Sequence, residues 1–119
     1  MEIEDIRSYA LAKPGAEESF PFGTETLVFK VGGKIFMLMG LDKQPLFINL
    51  KADPDNSESL RERYPQVVPA WHMNKTHWNS VYPEGLKPSL IKELIDNSYQ
   101  LIFKSLTKKW QAEIVAIKG

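Results

Sequence analysis

Apolar residues recur along the chain with two periods, and the changes of period mark its elements. Ile3, Ile6, Tyr9 and Ala10 fall at helical spacing, which predicts a short amphipathic helix from Glu2 to Ala12. Pro14 disfavours the helical conformation at Lys13, and Gly15 completes the stop. The segment A-E-E-S-F-P-F-G, residues 16–23, reads as an irregular connector pinned to the core by Phe20 and Phe22. Beyond it the period becomes two. Glu25–Val31 and Lys34–Met39 are rich in strand formers, and Gly32-Gly33 between them tolerates the positive φ angles of a tight hairpin turn. A two-residue turn pairs Val31 with Lys34, Phe29 with Phe36 and Leu27 with Leu38. The last two pairs then share the core face. Val28, Ile35, Met37 and Met39 fall on the opposite face, together with Phe47. Leu46, Ile48 and Leu50 alternate through a third strand, with Asn49 and Lys51 turned the other way.

Asp53-Pro54 has the form of an N-cap followed by proline at the first helical position. That helix runs to Tyr64 and stops before Pro65, with Arg61 and Arg63 in the last turn, where they complement the dipole. Residues 66–82 follow: Q-V-V-P-A-W-H-M-N-K-T-H-W-N-S-V-Y. Val67–His72 and His77–Tyr82 predict a second hairpin with Asn74-Lys75 at its tip. This register sets His72 opposite His77 and Trp71 opposite Trp78, the tryptophans on one face and the histidines on the other. Pro69 makes the first of these an edge strand. Pro88 suits a helix start, and Leu90, Ile91, Leu94, Ile95, Ser98, Leu101, Ile102 and Leu106 form one long stripe. Small Ser98 within it permits close helix–sheet approach. Lys108, Lys109 and Trp110 begin a tail whose end, Ala112–Ile117, either continues as helix or lies extended. The order is α-β-β-β-α-β-β-α: an α+β, two-layer domain spanning residues 1–119, an antiparallel sheet with helices packed on it.

Composition narrows the function classes. With 119 residues and no cysteine, the chain suits one domain without disulfides, thiolate metal sites or a cysteine nucleophile. No apolar run approaches the roughly 20 residues of a membrane helix. The opening M-E-I-E-D-I is acidic, the reverse of a signal peptide, so a cytoplasmic location is expected. Net charge is zero but unevenly spread: residues 1–25 hold six acids against Arg7 and Lys13, leaving the rest at plus four. That asymmetry permits an anionic partner, although it falls short of the footprint of a dedicated nucleic-acid binder.

Several stretches resemble the MmcQ/YjbR family. They are A-K-P-G-A-E-E-S-F-P-F-G at 12–23, G-G-K-I-F at 32–36, P-A-W-H-M-N-K-T-H-W-N-S-V at 69–81, and a final helix carrying Ser98-Tyr99. The resemblance spans essentially the whole chain. It implies a small bacterial cytoplasmic protein with a CyaY-like, secretion-chaperone-like α-β(3)-α-β(2)-α topology. It also implies DNA binding by a "double wing" of hairpins. No set of catalytic residues comes with it, and no cofactor.

Side-chain chemistry is sparing. Two facing histidines fall short of the three or four ligands a metal site needs. Ser80 and Thr76 lie near histidines, yet no third orienting group is identifiable for nucleophilic catalysis. No enzyme is expected. For DNA, Lys34, Asn74 and Lys75 at the two turns would meet phosphate. His72, His77 and Asn79 would hydrogen-bond backbone or base edges, and Trp78 would stack on an unpaired base. The alternative is a monomeric protein-interaction module. It would use an apolar face of Val28, Ile35, Met37 and Met39, whose methionines suit an adaptable surface.

Overall fold

The residues described by the computed structural model are 1–42, 44–70 and 73–118. Among them the chain order is α1 (Ile3–Leu11), β1 (Glu17–Ser19), β2 (Thr26–Val31), β3 (Lys34–Gly40), β4 (Ile48–Lys51), α2 (Pro54–Arg63), β5 (Val67–Pro69), β6 (Trp78–Val81), α3 (Pro88–Ser105) and α4 (Lys108–Lys118). The strands form one antiparallel sheet in the order β1-β2-β3-β4-β6-β5. Ile6 and Ala10 of α1, Ile91, Leu94, Ile95, Tyr99 and Ile102 of α3, and Ile114 of α4 join Leu27, Phe29, Met37, Met39, Ile48, Leu50 and Val81 in one buried cluster. Leu60 of α2 packs against it. All four helices therefore lie on the same face of the sheet. The α+β, two-layer reading holds, with two additions. The connector contributes a short edge strand, β1, and the tail is a separate helix, α4. Phe20 and Phe22, expected to pin the connector, are instead 48% and 67% exposed. The Arg7 guanidinium holds it through Glu18, with Nε 2.8 Å from Oε2.

The first hairpin turns where the two glycines stand, both at positive φ, and a side chain at Gly32 would run into Leu106. Its register departs from a plain ladder. Val31 pairs with Lys34 and Lys30 with Ile35, but Phe29 then pairs with Met37, Val28 with Leu38 and Leu27 with Met39. Phe36 is the extra residue of a β-bulge. The insertion reverses the alternation of everything beyond it. Phe36 and Met37 both turn inward, Met39 follows, and Leu38 takes the outward face with Val28 and Ile35. Phe29 and Phe36 do share the core, with ring centroids 6.3 Å apart, but they are not register partners.

Ser98, in the middle of the α3 stripe, secures this irregularity. Its fully buried hydroxyl donates to the Phe36 carbonyl at 2.6 Å and accepts from the Lys51 amide at 2.9 Å. One side chain thus ties α3 to the bulge on β3 and to the end of β4. The edge of the Phe36 ring meets the Tyr99 ring at 5.4 Å, and the Tyr99 hydroxyl donates to the Pro14 carbonyl at 2.5 Å. Burial pushes the Tyr99 pKa up. Across the α1–α3 contact, Asp96 receives the Tyr9 hydroxyl at 2.7 Å and pairs with Lys13. The hydrogen bond to Asp96 raises the Tyr9 pKa. Burial works to lower that of Lys13, but the bond to Asp96 and its charge hold it above the usual lysine value.

Removing the clamp leaves a buried carbonyl and a neighbouring amide without their partner. Ser98→Ala is expected to cost about 1–3 kcal/mol in urea denaturation. Leu94→Ala, which opens a cavity in the same layer, is expected to cost about 2–5 kcal/mol. A Ser98→Ala loss under about half a kcal/mol would show that the hydroxyl is not needed there.

Candidate nucleic-acid interface

The strand directions decide what lies near the two predicted tips. β4 runs antiparallel to β3 and β6 antiparallel to β4, with Met37 opposite Leu50 and Lys51 opposite Trp78. The Gly32-Gly33 turn, the end of β4 and the loop before β6 therefore emerge at one end of the sheet. β3 and β6 are two strand spacings apart there, roughly 10 Å. Helix ends converge on the same place. Leu106, just beyond α3, packs at Gly32, so Lys108 and Lys109 open α4 beside this turn. Asp53 caps α2 here, its Oδ1 accepting from the Asn56 amide at 2.9 Å. Lys104 and Asp53 line one shallow groove at this end. Sequence spacing could not assemble this lysine group, because Lys51, Lys104, Lys108 and Lys109 reach it from three separate segments.

The second turn is built on an Asx motif. The Asn74 side chain accepts from the Thr76 amide at 2.9 Å, and the Asn74 carbonyl accepts from the amides of His77 at 3.2 Å and Trp78 at 2.8 Å. Arg61 of α2 supports it from the helix side. Its guanidinium donates to the carbonyls of Lys75 and Trp78 and, at 2.7 Å, to Asn79 Oδ1. Asn79 completes the brace by donating to Ser57 Oγ at 3.1 Å. Arg61 thus does more than complement the dipole of its own helix.

The expected contact residues separate accordingly. Asn74 and Lys75 are exposed at the turn, His77 is half-buried beside them, and Lys34 is exposed at the other turn. Lys34 Nζ lies 3.3 Å from the Ser105 carbonyl and hydroxyl, where its charge complements the C-terminus of α3. Asn79 is a correction. It is 2% exposed, faces α2, and its amide is engaged by Arg61 and Ser57, so it cannot read a nucleic acid. The second hairpin is also shorter than expected and one residue out of register. Val67 pairs with Val81, Val68 with Ser80 and Pro69 with Asn79, and the Ala70 amide bonds to the Trp78 carbonyl. Ala70 therefore takes the place expected for Trp71. The pairings proposed for Trp71 and His72 themselves lie outside the described residues.

The apolar patch is corrected as well. Met37 and Met39 are fully buried in the core, because the Phe36 bulge reverses their phase. Val28 points to the outward side of the sheet but is fully buried as well, so of the four only Ile35 keeps an accessible part there, and Phe47 joins it with its ring 5.5 Å from that of Tyr82. Without its methionines, the surface loses the feature that suited it to an adaptable protein partner. Among the described residues, no group of three or more His, Asp or Glu side chains gathers as a metal would require. None of the described helices is long and apolar enough to cross a membrane.

Comparison with known proteins gives one consistent neighbourhood. The YjbR family model matches residues 11–101. Protein YbdF of Escherichia coli O157:H7 is 44% identical over 112 residues, 93% of this chain and 92% of its own length. Protein YjbR of Escherichia coli K12 is 38% identical over 102 residues, covering 84% and 86% respectively. Among solved structures, a Deinococcus radiodurans protein superposes with a TM-score of 0.87 at 39% identity, covering 94% of this chain and 86% of that one. A Pseudomonas syringae protein gives a TM-score of 0.73 at 29% identity, over 86% and 99%.

The Arg61 brace generates a local prediction. Arg61→Ala removes donors to two loop carbonyls and to Asn79. The amides of Thr76, His77 and Trp78 are then expected to exchange at least ten-fold faster with deuterium, while those of α3 hold their protection. Unchanged exchange at these three amides would show that the loop stands without the arginine.

Proposed function

The chain belongs to the YjbR family, and we propose that this member binds DNA weakly and without sequence preference, through phosphate contacts at the end of the sheet where both turns emerge. One observation carries the reading: the two turns share an end, and each presents an exposed lysine, Lys34 and Lys75. Lys108 and Lys109 add charge at that end against Asp53 and Asp55 at the α2 start. Lysine side chains meet phosphate as point charges and carry little base information, which suits a contact that positions without specifying. Exposed Asn74 and half-buried His77 supply hydrogen-bonding groups beside Lys75. The braced loop would present them with little ordering cost on binding.

The outward sheet face is the surface that a protein-interaction reading would use. With Val28, Met37 and Met39 fully buried, what remains accessible there is mixed: Ile35, Leu38, Val68 and Trp78 beside Lys30, Asn49 and Lys51. That composition favours the DNA reading over an apolar docking patch.

Fluorescence anisotropy with a labelled duplex tests it. With two or three phosphates neutralised, log affinity is expected to fall against log salt with a slope of about −2 to −3. Because Lys34 also caps α3, the informative variant is Lys34→Gln/Lys75→Glu, expected to weaken duplex binding at least ten-fold at low salt and to flatten the slope. Binding that is unmeasurable in the wild type, or unchanged in the variant, would retire the proposal.

A further inference from the structure

The sheet's second face lies away from the four helices; Val28 on it is fully buried and Ser80 nearly so, and the half-buried residues beside them form an ordered array. On β4 and β6, register partners set Asn49 against Ser80 and Lys51 against Trp78. One step beyond the strand, Phe47 and Tyr82 stand ring to ring. The face thus carries an aromatic pair near one end, a polar pair at its centre, and a cation beside a tryptophan at the turn end. Trp78 and Tyr82 are four residues apart along β6 and its continuation, about 13 Å. Both rings are half-buried, as are Phe47 and Lys51, so each keeps an accessible part. Lys30 of β2, opposite Ile35, extends the positive charge across the same face. At the centre the Ser80 hydroxyl donates to Asn49 Oδ1 at 2.6 Å, leaving the amide donors of Asn49 for another acceptor.

We propose that this face is a stacking platform for single-stranded DNA, with Trp78 and the Phe47–Tyr82 pair taking bases and Lys51 and Lys30 taking phosphates. Two features suit a single-stranded occupant. Aromatic rings separated along a sheet face offer π-surfaces to any base, and cations beside the ring at the turn end neutralise the backbone that joins the bases. The donors left at the centre suit phosphate oxygens and base carbonyls. The platform also adjoins the turn end through Trp78, which follows directly on the loop bearing Lys75. A strand lying on the face would run on to the lysines of the turns. The inference rests on the reading above in taking DNA as the partner, but it uses a different surface.

The Arg61 and Ser98 contacts now acquire a common purpose. Arg61 holds the Trp78 carbonyl from behind, and Ser98 holds the Lys51 amide. The two side chains facing the solvent are therefore fixed at their backbones by the helices beneath the sheet, so the site is built before a ligand arrives.

The test is a titration of labelled oligo-dT, oligo-rU and a duplex at low salt. It compares the wild type, Trp78→Ala, Trp78→Phe, Lys51→Glu and Lys34→Gln/Lys75→Glu, each checked for folding by circular dichroism. Loss of one base stack is expected to weaken oligo-dT binding about five-fold to a hundred-fold in Trp78→Ala. Trp78→Phe is expected to restore most of it, with duplex binding within two-fold of wild type in both. Lys51→Glu keeps its backbone amide, and is expected to weaken oligo-dT binding even if Trp78→Ala fails to fold. Face variants that bind oligo-dT as the wild type does, while the turn variant loses duplex, would overturn the platform and leave the turn reading standing. Face-dependent oligo-dT binding with duplex binding unchanged in the turn variant would retire the turns and keep the platform. Tighter binding of oligo-rU than of oligo-dT would overturn the choice of DNA, and no binding to any of the three would overturn both.

Discussion

A single buried hydroxyl reconciles an irregular strand with a regular helix. A sheet with a bulge in β3 presents carbonyls and amides that the ladder alone does not use. In a low-dielectric layer such groups need a partner or they weaken the fold. Ser98 supplies one oxygen that donates to β3 and accepts from β4. A larger apolar side chain there would fill the space and satisfy neither group. Because the bulge sets the phase of β3, the same contact decides that Met37 and Met39 are core and that Leu38 is surface. The position of α3, the packing around Phe36 and the character of the outer face all follow from it.

The elements themselves were legible wherever the periodicity was long or the punctuation strong. The α3 stripe, the Gly32-Gly33 turn and the Asp53-Pro54 start all stand where apolar spacing and turn chemistry put them. Register was less legible. Alternation from Ile35 through Met39 looks unbroken in sequence, and nothing in the letters K-I-F-M-L-M marks Phe36 as supernumerary. Ser98 was the available sign, a polar residue in an otherwise apolar stripe. It reads equally well as a small residue permitting close approach, and only its partners reveal it as a hydrogen-bonding clamp. Phe20 and Phe22 misled for a different reason: an aromatic pair is most simply assigned to the core, and here Arg7 and Glu18 do the tethering instead.

The candidate site was half visible. Turns and their lysines could be named, because glycine, asparagine and lysine at loop tips have local physical reasons to be there. Their convergence on one end depends on strand order, which sequence spacing does not carry. Asn79 was misassigned because an exposed asparagine and one buried against an arginine look alike in a sequence; its partners Arg61 and Ser57 lie 18 and 22 residues away. The Lys51–Trp78 pairing across β4 and β6 was likewise hidden by the helix that separates the two strands.

Both margins of the sheet are blunt. β1 is three residues long, carries two carboxylates and runs into Pro21; β5 is equally short, with Pro65 just before it and Pro69 at its end. Short charged or proline-bearing borders offer few free backbone groups to a foreign strand. Growth by adding a strand at either border is therefore disfavoured, both for a second copy of the chain and for an extended peptide. Traffic with other molecules is steered away from the rims, toward the outer surface and the two turns that crown it.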